Sequence, residues 1–411
     1  MSVLTDSMTD VGLPPSPPRS PSLMLVAGEA SGDLHGSLLA RALLTLAPSW
    51  RLTGMGGERM ARAGVALLAD VTGQAVVGGS EALNRLPVLY RAYRILARAL
   101  SEIRPRALIV IDFPEFNMRL AGIAKRHGIP VVYFIPPQIW AWRRGRIKRI
   151  ARLVTKVLAV FPFEVPLYEA AGVPVEFVGH PLMDILPVDL DRAAARRRLG
   201  IGDGVTLIGL LPGSRREEVG RLLPRMLDAV ERISRERPGA RFLLALAPTV
   251  DRLLVEAAAG GGRSGVAVLS GMTHEIMAAS DLLIVASGTA TLEAACLGTP
   301  MIVCYRVSRL SGLLGRLLIR IPWVGLANIV AGRALVPELL QSDVTGARLT
   351  EEALELLRDS TRYRSQREGL LEVRGRLGSS GVGERAARSV LETAGYSMES
   401  AVKPDEGASG S

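Results

Sequence analysis

Short apolar runs alternate with helical patterns along most of the chain. LMLVA (23–27), ALIVI (107–111), VVYFI (131–135) and VTKVLAV (154–160) read as buried strands, each followed by a stretch of helical periodicity. That alternation predicts βαβ units around a parallel sheet. The scheme breaks after VGHPLMDILPVDLD, and AAARRRLG then starts a new helix before a second series of strands: TLIGLL (206–211), RFLLALA (241–247), VAVL (266–269), LLIVAS (282–287) and PMIVCY (300–305). The expected fold class is therefore α/β, two Rossmann-like doubly wound domains facing across a cleft, with ligands at the carboxyl ends of the strands. The domains are expected at 23–185 and 186–395, leaving room for the terminal helices to return to the first. Residues 1–22 and 396–411 are rich in Pro, Ser and Gly and poor in apolar residues, so both read as disordered tails.

Composition fits that picture. A chain of 411 residues with 48% hydrophobic content can bury two cores. No charged segment followed by an apolar run opens it, and Cys296 and Cys304 alone make no disulfide framework, which points to the cytoplasm. HGIPVVYFIPPQIWAW is too short to span a bilayer and is broken by Pro130, Pro136 and Pro137. The formal charge of +10, almost all of it arginine, suits an anionic lipid surface instead. Residues 308–323 and 83–100 both mix arginines with leucines at helical spacing. Each also reads as an ordinary core helix with a solvated basic face. No nucleic-acid motif accompanies the arginines, and no nucleic-acid partner is expected.

The candidate chemistry lies in the turns after the strands. LVAGEASGDLHG runs from strand through turn to helix, yet it lacks both the G-x-G-x-x-G and the Walker spacing. Glu29 and Asp33 would also put two carboxylates where a diphosphate should lie, so this turn suits hydroxyls or an amine; a plain helix start with Asp33 favouring the dipole is the other reading. LLPGSRREEV offers backbone N–H groups and the Arg215 guanidinium to a phosphate. In VASGTATLEAACLGTP, Ser287, Gly288 and Thr289 form the turn, and Glu293 lies one helical turn, about 5.4 Å, beyond Thr289, where a carboxylate suits ribose hydroxyls. Together these two turns read as a nucleotide-diphosphate site. IDFPEFN ends a strand with Asp112, whose burial would raise its pKa and make it a usable base; the competing reading is a helix cap. FIPPQIWAWRRGRI adds Gln138, Trp140, Trp142 and Arg143, groups that suit sugars. The four histidines lie far apart with no ligand spacing, and Asp191 in the single D-x-D reads as an N-cap, so no metal and no cofactor is expected.

In order, GEASGD, GMGGERM, GGSEAL, IDFPEFN, PPQIWAWR, PFE, VGHP, LPGSR, SGTATLE and PELLQ resemble the lipid-A-disaccharide synthase family over roughly residues 23–390. The resemblance implies a GT-B glycosyltransferase fold. It implies transfer of 2,3-diacylglucosamine from UDP-2,3-diacylglucosamine to the 6-hydroxyl of 2,3-diacylglucosamine 1-phosphate, with inversion, at the cytoplasmic face of the inner membrane. Carried onto this chain, UDP binding falls on Gly213, Ser214, Arg215, Ser287, Gly288, Thr289 and Glu293, with Asn328, Glu338 and Gln341 as further candidates. Asp112 becomes the general base and Arg215 the group that stabilises the departing diphosphate. Glu29, Ser31, Gly32, Asp33, Glu81, Asn117, Gln138 and Trp140 become the acceptor side. Glu115 stands where the family usually has a second aspartate, which leaves the base open between Asp112 and Glu115. A homodimer is left open as well. The competing readings are a UDP-sugar 2-epimerase of the same fold and a non-catalytic membrane module that binds UDP-sugars.

Overall fold

A computed structural model describes residues 20–70, 81–137, 145–187, 190–258, 265–307 and 322–396. The chain divides into two compact units, residues 1–184 with 380–411, and residues 185–379.

The first unit is built on a parallel sheet of β1 (Ser22–Ala27), β2 (Arg51–Gly56), β3 (Val65–Asp70), β4 (Ala107–Ile111), β5 (Val131–Phe134), β6 (Lys156–Ala159) and β7 (Val175–Phe177). Their order is β3-β2-β1-β4-β5-β6-β7, so the direction of winding reverses between β1 and β4. Every residue of β1, β4 and β5 is buried, as continuous apolar runs covered by helices on both faces should be. Leu23 to Ala27 pair with Ala107 to Ile111, which brings the ends of β1 and β4 level. The four strands read from apolar runs are present here, and β2, β3 and β7 join them.

The last described helix, Val382–Thr393, also belongs to this unit and packs on the helix Ala30–Leu46. Its start is fixed by one side chain: the Asp184 carboxylate accepts from the backbone N–H groups of Gly381 (2.6 Å), Val382 (3.2 Å) and Gly383 (2.8 Å). A carboxylate at the positive end of a helix satisfies three amides that would otherwise lack partners.

The second unit repeats the plan with β8 (Leu207–Leu211), β9 (Arg241–Leu246), β10 (Val266–Ser270), β11 (Leu282–Ala286), β12 (Met301–Tyr305) and β13 (Glu338–Leu340). The order β10-β9-β8-β11-β12-β13 is again parallel, and it reverses between β8 and β11. The helix Arg216–Glu236 buries Val219, Leu222, Leu223, Met226, Val230 and Ile233, a helical stripe, against Ile208, Leu210, Phe242 and Ile284. Asp191 accepts from the Ala194 N–H at 2.6 Å and caps its helix.

Candidate active site

In open parallel sheets ligands collect at the carboxyl ends of the strands where the winding reverses. In the first unit that position holds the turns after β1 and β4. Gly28 follows β1 and lies against the Phe113 ring: a Cβ there would lie 2.3 Å from Phe113 Cδ1, so only glycine lets the two turns approach. Glu29 and Ser31 are exposed just beyond it.

After β4 the backbone turns through Asp112 (φ 47°) and Phe113 (φ 46°), two consecutive left-handed residues, before the helix Pro114–Arg126. Such a pair is costly and persists only where its surroundings hold it. Two side chains do so. Asn117 Nδ2 donates to the carbonyls of Ile111 (3.2 Å) and Asp112 (2.7 Å), and the Tyr133 hydroxyl donates to the Asp112 carbonyl at 3.0 Å. The Asp112 carboxyl is raised above the ordinary aspartate pKa, chiefly by burial and then by the negative charge of Glu29, while the Phe113 N–H opposes both. It is a carboxylate prepared to take up a proton. Glu115, the other candidate, is exposed and paired with Arg146.

Three expectations for the acceptor side change. Asp33 is buried, and its oxygens accept from the N–H groups of Gly57 (2.8 Å), Arg59 (3.1 Å) and Met60 (3.0 Å), so it anchors the GMGGERM turn rather than facing a sugar. Asn117 is fully buried and holds the Asp112 turn from beneath. Gly32 is buried against Ala27, serving helix-to-strand packing. Gln138 and Trp140 lie outside the described residues, as do Trp142 and Arg143. Glu81 opens the helix Glu81–Ile103, and its side chain is likewise outside them.

In the second unit the reversal point holds the turns after β8 and β11, which carry the LPGSR and SGTATLE motifs. Gly213 has φ 112°, and a Cβ there would lie 2.1 Å from Glu218 Oε2. Glu218 reaches back to accept from the Ser214 N–H at 3.2 Å and from the Arg215 N–H, closing the turn as the acidic member of a capping box does. Burial raises the Glu218 pKa, against those N–H groups and the Arg215 charge. From the turn after β9, Thr249 Oγ1 donates to the Ser214 carbonyl at 2.6 Å, a brace that no local sequence signal reveals. Ser214 and Arg215 remain exposed at the start of the helix Arg216–Glu236.

Gly288 has open space where a Cβ would be, and Thr289 beside it is exposed. Ser287 Oγ donates to the Val324 carbonyl at 2.8 Å, tying this turn to the 324–325 loop. Glu338 secures the same loop, accepting from Val324 N–H (2.8 Å), Gly325 N–H (3.0 Å) and Asn328 Nδ2 (2.8 Å). Asn328 is buried with both amide hydrogens and both oxygen lone pairs engaged, its oxygen accepting from Leu335 and Val336 at 2.8 Å each. Asn328 and Glu338, expected at UDP, thus spend their polar atoms on the 324–325 and 335–336 backbone and on each other. Gln341 (φ 51°) accepts from the Val307 N–H through Oε1 at 3.3 Å. Glu293 stands one turn into its helix, where His274 Nε2 lies 2.9 Å from Oε2.

Among the described residues no cluster of His, Cys, Asp and Glu has the form of a metal site. No described helix is long and apolar enough to cross a membrane.

A family model described as lipid-A-disaccharide synthetase matches residues 23–387. The lipid-A-disaccharide synthase of Geobacter metallireducens is 44% identical over 373 residues, covering 91% of this chain and 97% of that protein. That of Myxococcus xanthus is 43% identical over 377 residues, covering 92% and 98%. Among solved structures, the UDP-GlcNAc 2-epimerase from Neisseria meningitidis bound to UDP-GlcNAc has a TM-score of 0.60 at 13% identity, covering 90% of this chain and 99% of that one. The glycotransferase of kitacinnamycin has a TM-score of 0.62 at 17% identity, covering 92% and 100%. At such identities the likeness is one of fold, the two-domain α/β fold of GT-B enzymes.

Proposed function

The chain belongs to the lipid-A-disaccharide synthase family, a family of hexosyltransferases, and from that premise we propose the part each sheet edge takes in the transfer. The donor is UDP-2,3-diacylglucosamine and the acceptor 2,3-diacylglucosamine 1-phosphate. Asp112 removes the proton of the acceptor 6-hydroxyl as that oxygen attacks the anomeric carbon. The bond from that carbon to the diphosphate oxygen breaks, UDP leaves on the opposite face with the bonding electrons, and the configuration inverts. Arg215, the amides that open the helix Arg216–Glu236 and the turn at Gly288–Thr289 stabilise the charge gathering on the diphosphate. Glu293 takes the ribose, and Glu29 and Ser31 meet acceptor hydroxyls.

One observation carries this division of roles: each cluster sits where its own sheet reverses its winding, a partly buried carboxyl with a raised pKa in the first unit and a guanidinium beside the open turn at Gly288 in the second. The helix Glu81–Ile103 supports a lipid surface as the place of work. Leu86, Tyr90 and Ile95 are 58, 62 and 42% exposed, beside the exposed arginines 91, 94 and 98, a mixture suited to the headgroups of the cytoplasmic leaflet of the inner membrane.

The test is UDP release in detergent micelles containing EDTA, with and without the acceptor. Release should depend on the acceptor and yield the β-1′,6-linked disaccharide 1-phosphate. Asp112→Asn should lower kcat by about 10²- to 10⁴-fold, the usual share of a general base, while Glu115→Gln stays near wild type. Release without acceptor, or none after magnesium is restored, would overturn the reading; an inactive Glu115→Gln beside an active Asp112→Asn would reassign the base.

A further inference from the structure

The donor half of the reaction leaves one close contact unused. After β10 the chain enters the helix Thr273–Ala279 with His274 in its first turn. The His274 ring and the Glu293 carboxylate meet at 2.9 Å, each with about a quarter of its side chain exposed. The carboxylate oxygen accepts here, with Nε2–H of His274 as the donor. No described residue donates to the other carboxylate oxygen, Oε1. A glutamate otherwise free about three torsions is thereby held in one pose with half of its acceptor capacity unspent.

This arrangement has the logic of a second-layer ligand, in which a hydrogen bond behind a functional group fixes the direction in which it faces. We propose that His274 is the positioning residue for nucleoside recognition, holding Glu293 so that Oε1 meets the ribose hydroxyls of the UDP moiety. The inference rests on the donor site as proposed above. The two residues come from different turns, after β10 and before the end of the helix that follows β11, so the contact serves no element's own capping. The bond also raises the His274 pKa above the ordinary histidine value; the charges of Glu293 and Glu275 act in the same direction and burial opposes them. Arg198, on the helix Arg192–Arg198, faces Glu275 at 3.4 Å.

The experiment is calorimetric binding of UDP and of 2′-deoxy-UDP to the full chain, as wild type, His274→Ala, His274→Gln and Glu293→Gln. The quantity read is the ratio of the two Kd values within each protein, which does not depend on the fraction that is folded. Wild type should prefer UDP by about tenfold, in keeping with a hydrogen bond to a charged acceptor. His274→Ala should lose most of that preference, its UDP Kd rising roughly three- to tenfold while that for 2′-deoxy-UDP stays nearly constant. His274→Gln retains a donor and should restore much of it. An unchanged ratio in His274→Ala, or equal weakening of both nucleotides, would overturn the proposal and leave the donor site standing. A wild type that binds neither nucleotide, or does not distinguish them, or a Glu293→Gln variant with full preference, would overturn the donor assignment of Glu293 and the proposal with it.

Discussion

Glu29 and Asp112 follow the carboxyl ends of neighbouring central strands of the first sheet, and the charge of Glu29 raises the Asp112 pKa. Removing that charge in Glu29→Gln lets Asp112 ionise at lower pH. The ascending limb of kcat/KM against pH should therefore move to lower pH, whatever happens to the plateau, because its midpoint reads the pKa of the free enzyme's base. An unmoved limb would mean that another group is titrating. Glu115→Gln should leave the limb in place, since that carboxylate is exposed and already paired with Arg146. Asn117 and Tyr133 matter at this scale for a different reason: they hold the two left-handed residues that set where the Asp112 carboxyl is displayed.

At the scale of elements, the working unit is strand, turn and helix, and its tightest point is Gly213. In Gly213→Ala the new methyl would meet the Glu218 carboxylate, and the backbone at φ 112° resists any side chain. The turn must open, so UDP affinity should fall at least about tenfold, the equivalent of 1.4 kcal/mol, while the melting temperature drops only a few degrees; calorimetry and a thermal scan on one preparation check both. The same grammar explains what could be read from sequence. The central strands announce themselves as unbroken apolar runs. The turns at 213–215 and 287–293 announce themselves as glycine followed by a helix start, because the relevant chemistry is local. RLTGMG at β2, with its two glycines, and the three-residue edge strands β7 and β13 carry no such signal. Buried polar residues were illegible for a related reason. Asp33 is satisfied by amides at 57–60 and Glu338 by amides at 324–325, and nothing near either residue in sequence distinguishes an anchoring carboxylate from a sugar-binding one. The His274–Glu293 contact was hidden likewise, since it is made only where the helices Thr273–Ala279 and Ala290–Cys296 pack together.

For the whole molecule, acid stability should be governed in part by two enclosed histidines. Burial lowers His35 to about 4, and burial together with the charge of His35 lowers His180 to about 3. His35 Nδ1 has no partner among the described residues, whereas His180 Nδ1 accepts from the Leu182 N–H at 3.2 Å. Both are neutral in the folded chain, and the unfolded chain takes up protons first as pH falls below about 6.5. Their contribution is therefore complete above that value and is lost as pH falls toward 4 and then 3, by up to about 1.4 kcal/mol per pH unit for each group. Denaturant midpoints at pH 7 and pH 5 should lie closer together in His35→Leu than in wild type; equal spacing would show that His35 carries no such linkage.

The Asp184 clamp has a bearing on synthesis. Chain leaving the first unit at residue 184 and chain arriving at 381–383 are fastened to one carboxylate, so the second unit is an excursion from a core that is still incomplete when it begins. At the usual pace of about 5–20 residues per second, the ribosome needs tens of seconds to make residues 185–379. Throughout that interval the face of the helix Ala30–Leu46 that will receive Val382–Thr393 has no cover. Domains usually mature from the N-terminus onward; here the second unit can finish first, and the first closes only after the last helix leaves the tunnel.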